Sequence, residues 1–447
     1  MKEHIQDKDW FYTFLKVFVD WSVRSSFSRY QVEGLENIPA DGHVIWAANH
    51  TNALMDPMVM LSSTRGRKVF VARADIFKKN WARKALYFLR VMPIYRIRDG
   101  INAVKHNDEA IEQATGVIMD GVPFVIFPEA THRAKHSLLK LSKGIFHIAE
   151  SAIEKSKDGK PVYILPIGIE YSDYFRFRNK VLVKFGKPAN VTEFLKEHSD
   201  EPIPVAMLQM RELLTERLAE GIVYIPDDED YDAIWEYAKL KADNPAYFKK
   251  TLSKIESRQG AKLKGLLRIQ AVDKQAVAEA LELREKDPDK ARELFADVDR
   301  LRLWRLQNGI SVYSIAREPG FLNLLFKTLV ALIGAPYYFF CGIVGIIKWL
   351  PITLILRGVK DDAFYNTARY GVRLGLAIPA LIVWSLIYFL FFNWKIAAVL
   401  LLLSLPSLKY LYDYGSFFRR FSSDVRWKIR KRHAPVLNRT QRIVLPL

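Results

Sequence analysis

The sequence contains one cysteine, Cys341, among 447 residues. A single thiol cannot form a disulfide within the chain, and it argues against a cysteine-based metal site. No set of His, Cys and carboxylate residues has the spacing of metal ligands, so we expect no metal. Zinc-finger, RNP-type and helix-turn-helix patterns are also missing, which argues against nucleic-acid binding.

The N-terminus lacks a cleavable signal peptide. Acidic residues precede a short and interrupted apolar run there, whereas a signal peptide begins with a basic region. We therefore expect the domain that follows to stay in the cytosol.

Basic residues outnumber acidic residues by 67 to 49, which gives a formal net charge of +18. Such chains bind nucleic acid, anionic membrane surfaces or phosphorylated substrates. The membrane is favoured here because strongly apolar segments lie next to basic segments. The length of the chain indicates two or three folding units.

Residues 1–27 are predicted to hold an amphipathic helix. Apolar residues recur there at three- and four-residue spacings; they are Trp10, Phe11, Phe14, Leu15, Phe18 and Val19. Two interpretations remain open, packing against the protein's own domain and docking at a membrane surface.

Residues 28–190 alternate between short apolar runs and helical stretches, which predicts an α/β domain with a mainly parallel sheet flanked by helices. The predicted strands are residues 43–48, 68–72, 91–95, 123–127, 162–166 and 181–185, and the clearest helices are residues 101–119 and 143–154. Residues 191–318 are charged and are predicted to be helical, without a fixed-period repeat.

Residues 319–412 are predicted to be embedded in a membrane as helices or hairpins, and residues 413–447 form a basic tail. The uncharged segments are residues 328–347, 374–392 and 396–408, and a membrane span needs roughly 20 apolar residues. If the catalytic domain and the tail are both cytosolic, the crossings are even in number. We therefore expect hairpins, half-buried and broken at Gly342, Pro351 or Asn393. The alternative is a soluble core.

Two residues that could form a catalytic pair follow the predicted strand 43–48. His50 comes directly after this strand, and Asp56-Pro57 is a typical helix start, with Asp as N-cap and Pro at the first helical position. Catalytic groups gather at strand ends in open α/β sheets. An Asp held at a helix start could accept a hydrogen bond from one imidazole nitrogen, which leaves the other nitrogen as a base.

Further polar residues follow two other predicted strands. Arg96 and Arg98 come after residues 91–95, and the segment EATHR, residues 129–133, comes after residues 123–127. The forked donors of Arg suit phosphate oxygens. Each residue alone fits a solvated strand end or a loop cap, but together they indicate one polar site at one edge of the sheet.

The order NHTNALMDP (49–57), PIYRIRD (93–99), FPEATH (127–132) and ILPIGI (164–169) resembles the four sequence blocks of the glycerolipid acyltransferase family. This resemblance covers about residues 28–190 and implies an α/β acyltransferase domain. It implies that His50 is the general base and Asp56 its partner. It also implies a set of substrate-binding residues: Arg96, Arg98, Glu129, Ala130, Thr131, His132 and Pro166.

The sequence departs from the family pattern at two places. Five residues separate His50 from Asp56, where the family usually has four. Ala130 stands where Gly is usual, and His132 stands where Arg is frequent. These departures put the phosphate contacts in question more than the base.

The resemblance implies an O-acyltransferase of phospholipid biosynthesis. Such an enzyme would move an acyl chain from acyl-CoA or acyl-carrier protein to glycerol-3-phosphate or 1-acylglycerol-3-phosphate, with no other cofactor. A neutral His can take the hydroxyl proton while the oxygen attacks the thioester, and no G-x-S-x-G motif indicates an acyl-enzyme. The expected location is a bacterial inner membrane, with the catalytic domain on the cytoplasmic face.

Two alternatives stay open. The first is an acyltransferase of the same family with another lysolipid or an aminolipid as acceptor. The second is a catalytically inactive, membrane-anchored protein that binds lipid or acts as a scaffold. The acceptor and the donor would distinguish these possibilities, and the sequence fixes neither.

Overall fold

The computed structural model describes residues 4–95 and 102–435. The chain divides into two compact units. The first unit consists of Met1–Ile222 together with Asp361–Thr367, and the second consists of Val223–Lys360 with Ala368–Leu447. The first unit continues to Ile222, past the predicted domain boundary at residue 190. That boundary stays a prediction.

The first unit is built on a mixed sheet of eight described strands. They are β1 (Arg29–Glu33), β2 (His43–Ala48), β3 (Val69–Arg73), β4 (Val91–Ile94), β5 (Phe124–Ile126), β6 (Val162–Tyr171), β7 (Lys180–Phe185) and β8 (Ala189–Asn190). The order is β1-β7-β6-β2-β5-β3-β4, with β8 paired to β6. Only β7 and β8 run antiparallel to β6, and the other pairs are parallel. The predicted α/β class with a mainly parallel sheet is confirmed.

Strand β2 lies at the centre of the sheet because its apolar residues can be buried on both faces. Ala47 pairs with Ile126 of β5 on one side and with Pro166 of β6 on the other. The carboxyl ends of these parallel strands therefore open on the same edge of the sheet. Two features differ from expectation: β1 was not predicted, and β6 continues five residues past the predicted end at residue 166.

Seven described helices accompany this sheet: α1 (Trp10–Ser26), α2 (Met55–Ser63), α3 (Asn80–Phe88), α4 (Asn102–Met119), α5 (Gly144–Lys155), α6 (Val191–Glu197) and α7 (Ile203–Gly221). The helices α4, α5 and α7 bury apolar side chains in one core with the sheet. Helix α7 approaches β6 very closely, since a Cβ atom on Gly168 would lie 2.5 Å from the carbonyl oxygen of Gly221.

Helix α1 lies in the segment that was predicted to hold an amphipathic helix, and Asp9 caps it by accepting a hydrogen bond from the backbone N–H of Tyr12 at 2.9 Å. Its inner face buries Tyr12 and Val23 within the first unit. Its outer face leaves Trp10, Phe14 and Trp21 more than 60% exposed: 81%, 68% and 65%. The helix therefore packs on its own domain and still presents an aromatic surface.

The second unit begins with charged helices, as predicted: α8 (Tyr231–Ala242), α9 (Pro245–Gln259), α10 (Leu266–Lys286), α11 (Pro288–Gln307) and α12 (Val312–Arg317). They share one apolar core. Pro245 and Pro288 begin α9 and α11, because proline fits the first turn, where its missing N–H is not needed.

Six apolar or basic helices follow: α13 (Phe321–Val344), α14 (Ile346–Gly358), α15 (Tyr365–Gly375), α16 (Ala377–Phe391), α17 (Trp394–Ser404) and α18 (Ser407–Arg430). In the described residues, α13 alone is long and apolar enough to cross a membrane by itself. Two bent pairs would raise the number of spans to three. One pair joins Asp362–Gly375 to Ala377–Phe391 at 48°, and the other joins Trp394–Ser404 to Ser407–His433 at 49°.

The expected breaks in the apolar helices are partly corrected. The break at Asn393 is found, since α16 ends at Phe391 and the Asn393 side chain caps α17. Gly342 and Pro351 lie inside helices α13 and α14, and the break between these two helices falls at Gly345. Pro351 is the sixth residue of α14, so the helix accommodates it at the loss of one backbone hydrogen bond.

Candidate active site

His50 and Asp56 are brought together by the loop between β2 and α2. The Nδ1 atom of His50 lies 2.8 Å from Oδ2 of Asp56. Asp56 is fully buried, whereas the His50 side chain is 17% exposed. Helix α2 begins at Met55 and its N-cap is Leu54. The prediction that Asp56 is the N-cap and Pro57 the first helical residue is therefore wrong, since both lie in the first turn.

The Asp56 carboxylate is fixed by four hydrogen bonds. Besides His50, Oδ2 accepts bonds from the backbone N–H groups of Thr51 and Asn52, each at 2.7 Å. The hydroxyl of Tyr171 donates to Oδ1 at 2.7 Å. Because every partner donates, Asp56 acts as an acceptor throughout and holds the imidazole in one orientation.

Tyr171 is a site residue that sequence reasoning missed. It lies at the end of β6, and burial raises its pKa well above 10.0, with the neighbouring Asp56 adding to this effect. The neutral phenol therefore persists as a hydrogen-bond donor to Asp56. The signal in the sequence was the continued alternation of β6 after residue 166, which carries the strand to the site.

The second imidazole nitrogen of His50 is left for chemistry. If Nδ1 donates to Asp56, Nε2 carries a lone pair and can accept a proton. The Phe127 ring stacks on His50 with its centroid 4.5 Å away and an interplanar angle of 27°. This stacking and the bond to Asp56 fix both the position and the tilt of the imidazole.

Glu129 stabilises the loop that carries His50 by accepting hydrogen bonds from two backbone N–H groups. Its Oε1 accepts from the backbone N–H of His50 at 2.8 Å, and its Oε2 accepts from that of Leu139 at 2.7 Å. Burial raises the pKa of Glu129, and the two backbone hydrogen bonds oppose this effect. These contacts are those of a loop cap, and the implied part of Glu129 in acceptor binding stays a prediction.

Ala130 adopts a left-handed backbone conformation with φ of 58°. Residues with a Cβ atom are strained in this region by about 1–2 kcal/mol, whereas glycine is not. This gives a physical reason for the glycine that the family usually carries at this place. Ala130, Thr131 and His132 all line the cleft next to His50.

His132 lies beside the catalytic pair, with its ring centroid 5.5 Å from that of His50. The neighbouring Arg133 donates from its guanidinium to the hydroxyl of Ser137 at 2.7 Å. Pro166 lies within β6, where its carbonyl accepts from Gly186 at 2.8 Å, so it is not at a strand end. Arg96 and Arg98 lie outside the described residues.

A cleft of about 790 Å³ opens beside His50. Its size falls within the range of roughly 300–1,000 Å³ that is usual for small-ligand sites. Most of its wall is apolar: Val71, Met92, Ile94, Ala110, Ile111, Ala114, Phe124 and Ile126. The cleft therefore offers a long apolar surface that ends at a polar group with a free imidazole nitrogen.

Within residues 4–95 and 102–435, no three His, Cys, Asp or Glu side chains are grouped so that they could hold a metal ion. The cleft is lined by imidazole, hydroxyl, amide, ammonium and guanidinium groups and by one carboxylate, from His50, Arg73, Asp75, Tyr95, Asn107, Thr131, His132, Ser142, Lys143 and His147. This donor set suits hydrogen bonds to ester and phosphate oxygens.

The mainly parallel sheet and the His50–Asp56 pair after β2 agree with the predicted α/β acyltransferase domain. Residues 29–170 match the family model described as Acyltransferase, which covers the chain from β1 to the penultimate residue of β6. The resemblance to an acyltransferase domain is thereby confirmed for these residues.

Among solved structures, the chain is similar to the 1-acyl-sn-glycerophosphate (LPA) acyltransferase PlsC from Thermotoga maritima. The identity is 22%, the match covers 47% of this chain and 79% of that chain, and the TM-score is 0.35. At that score the likeness is too distant to support a shared structure or activity. The comparison with curated proteins finds no match.

Proposed function

We propose that the protein is a membrane acyltransferase that moves a fatty acyl chain from acyl-CoA or acyl-carrier protein to glycerol-3-phosphate or 1-acylglycerol-3-phosphate. The observation that carries this proposal is His50 on the wall of an apolar cleft, with its Nδ1 2.8 Å from Oδ2 of the buried Asp56. A base next to an apolar binding surface is the arrangement that acyl transfer to an alcohol requires.

The reaction needs one base and no covalent enzyme intermediate. Nε2 of His50 takes the proton of the acceptor hydroxyl as its oxygen attacks the thioester carbonyl. The tetrahedral intermediate then collapses, the C–S bond breaks, and the imidazolium returns the proton to the departing thiolate. Asp56 keeps Nδ1 protonated and stabilises the imidazolium while it exists.

The acyl chain fits the apolar part of the cleft. Removing a buried methylene from water stabilises binding by about 0.8 kcal/mol, so a long chain supplies most of the donor's affinity. The apolar wall between β3, β5 and α4 offers that surface. The thioester then lies at the polar side of the cleft, near His50.

A neighbouring groove of about 410 Å³ suits the polar part of the donor. It lies between α5 and α7 and shares Lys143 and His147 with the catalytic cleft. Lys140, Lys143 and Arg211 contribute positive charge there, against the one acidic residue of its wall, Glu150. Acyl-CoA and acyl-carrier protein both carry a phosphopantetheine arm, and its phosphate would find cations in this groove.

The proposed location is a bacterial inner membrane, with the first unit on the cytoplasmic face. Helix α13 is long and apolar enough to cross a membrane. Helix α1 carries exposed tryptophans, which favour the membrane interface. No cofactor besides the acyl donor enters the proposal.

The test is acyl transfer by the full-length protein in detergent micelles. Labelled acyl-CoA or acyl-carrier protein is offered with glycerol-3-phosphate or 1-acylglycerol-3-phosphate, and His50→Ala is compared with wild type. We expect product from wild type and a loss of about 100- to 10,000-fold in the variant, which is the usual contribution of general-base catalysis. His4→Ala, at an exposed histidine that lines neither the cleft nor the groove, is the control.

The other possible results of this assay distinguish the remaining hypotheses. No product with either acceptor and either donor excludes the glycerol-phosphate reaction. Product only from another lysolipid or an aminolipid would favour the first alternative, and failure with every acceptor would favour an inactive lipid-binding protein. Equal rates for wild type and His50→Ala would refute the role of His50.

A further inference from the structure

A short segment of the C-terminal region forms part of the catalytic unit. Residues 361–367, here called the inserted segment, group with the first unit, although the residues on both sides of it belong to the second. The inserted segment lies between helices α14 and α15. The acyltransferase family model ends at residue 170, so it does not include this segment.

The inserted segment contacts the site through two anchoring side chains. Nε2 of His132 lies 2.9 Å from Oδ2 of Asp361. The side-chain amide of Asn366 donates to the carbonyl of Tyr174 at 2.6 Å, and that same carbonyl accepts from the side chain of Asn52 at 2.7 Å. Asn52 belongs to the loop between His50 and Asp56, so the segment is tied to both sides of the catalytic pair.

Phe364 brings an apolar ring to the same place. Its ring meets that of His132 edge-on, with the centroids 5.4 Å apart and the planes at 86°. Phe364 is 42% exposed and lines the cleft together with His50 and His132. A compound bound between the two histidines would therefore touch Phe364.

A backbone hydrogen bond orients the Asp361 carboxylate toward His132. Its Oδ1 accepts from the backbone N–H of Ala363 at 3.0 Å, which leaves Oδ2 to receive the imidazole. The hydrogen bond from His132 lowers the pKa of Asp361, and the bond from Ala363 adds to this effect. With Nε2 donating to Asp361, Nδ1 is left for the ligand, and it donates to a phosphate oxygen when the imidazole carries both protons.

We propose that the inserted segment selects the acceptor: Asp361 is a positioning residue that orients His132 toward the acceptor's phosphate, and Phe364 limits the size of the acceptor's head. This rests on the proposed function. The acceptor hydroxyl must reach His50, whereas the acyl chain takes the apolar part of the cleft. The polar side next to His132 and Thr131 is therefore left for the glycerol phosphate, and the inserted segment closes that side.

The first variant is Asp361→Asn, which keeps the shape of the side chain and removes its charge. We expect KM for glycerol-3-phosphate or 1-acylglycerol-3-phosphate to rise about tenfold. We expect kcat to change less than threefold, and KM for the acyl donor to stay the same. Asp362→Asn, an exposed neighbour on the same turn, is the matched control and should behave as wild type. If Asp361 had a structural role alone, Asp361→Asn would lower kcat and the melting temperature without a selective rise in KM for the acceptor.

The second variant is Phe364→Ala, which opens the cleft without touching a charged group. We expect the ratio of kcat/KM values for a choline-bearing lysophospholipid and for 1-acylglycerol-3-phosphate to rise at least tenfold. Phe364→Leu should restore most of the wild-type ratio. This variant keeps the proposal testable even if Asp361→Asn fails to fold.

Binding of labelled glycerol-3-phosphate and 1-acylglycerol-3-phosphate to the same proteins separates the two proposals. If wild type is inactive and binds neither compound, the proposed function fails and this inference falls with it. If wild type is active while Asp361→Asn keeps its acceptor KM and Phe364→Ala its selectivity, the inference alone is overturned. The inference is supported if Asp361→Asn raises KM for the acceptor but not for the donor, and if Phe364→Ala changes the selectivity between acceptors.

Discussion

Asp56 shows how a single buried side chain is defined by its partners. A carboxylate with no exposure is costly unless its oxygens accept hydrogen bonds, and here four donors meet it. Two of them are backbone groups of its own loop, and the fourth is the phenol of Tyr171, 115 residues further along the chain. The loop and the far end of β6 therefore cooperate to orient His50.

Tyr171→Phe removes one of these four donors and leaves the ring in place. Losing a hydrogen bond to a buried carboxylate costs about 1–3 kcal/mol, so we expect a lower melting temperature and a several-fold lower kcat with little change in either KM. Tyr163→Phe, on the same strand but half-buried, is the control and should change neither. An unchanged kcat in Tyr171→Phe would show that the phenol does not help to orient the pair.

The site is positioned by residues at the ends of helices and strands, rather than by residues in their middles. Lys68 lies between α2 and β3 and is fully buried; its ammonium donates to the carbonyls of Leu61 and Thr64, each at 2.9 Å. It satisfies carbonyls at the end of α2, the helix that carries Asp56. Burial lowers its pKa from 10.5 to about 7.

This lowered pKa predicts a dependence of stability on pH. Between about pH 7 and pH 10.5 the unfolded chain keeps a proton on Lys68 that the folded chain has released, so the free energy of unfolding rises with pH in this window. The largest slope from one such group is about 1.4 kcal/mol per pH unit. We expect melting temperatures to rise from pH 7 to pH 9, and Lys68→Met to flatten this rise. Lys78→Met, at an exposed position, should keep the wild-type slope.

The contact between β6 and α7 depends on two glycines. A Cβ atom on Gly168 would lie 2.5 Å from the backbone of Gly221, and backbone cannot move aside as a flexible side chain can. We expect Gly168→Ala to destabilise the protein by about 1–3 kcal/mol through overpacking, measured as a lower melting temperature. Gly116→Ala, on α4 with open space around it, should be neutral or slightly stabilising. Equal effects of the two changes would contradict the close packing.

Local pattern predicted much of the fold, and long-range contacts account for what it missed. The strand at residues 43–48 was predicted at its observed bounds, because a central strand reads as one apolar run. The pairing of His50 with Asp56 followed from a loop and a helix start that are close in sequence. Tyr171 and Asp361 could not be predicted, since their partners lie more than 100 residues away. The spacing of neighbouring residues in the sequence does not indicate such a contact.

At the scale of the whole molecule, large apolar side chains are exposed on α1 of the first unit and on several helices of the second, among them α13, α16 and α17. Helix α13 is long enough to cross a membrane, and the outer face of α1 exposes aromatic residues on the catalytic unit. Tryptophan and phenylalanine on one face of a helix favour the interface between headgroups and acyl chains. The two features give the chain a candidate span and, on the first unit, an exposed aromatic surface.

Replacing Trp10, Phe14 and Trp21 together by Ala should weaken the contact of the catalytic unit with lipid. All three side chains are largely exposed, so we expect the melting temperature to change little. In proteoliposomes, kcat/KM should fall at least fivefold for 1-acylglycerol-3-phosphate, which resides in the bilayer, and less for the water-soluble glycerol-3-phosphate. Thr13→Ala, an exposed polar position on the same helix, controls for a general effect on α1. Equal losses for both acceptors would mean that α1 acts on the catalytic unit itself, because a docking surface matters only when the substrate comes from the membrane.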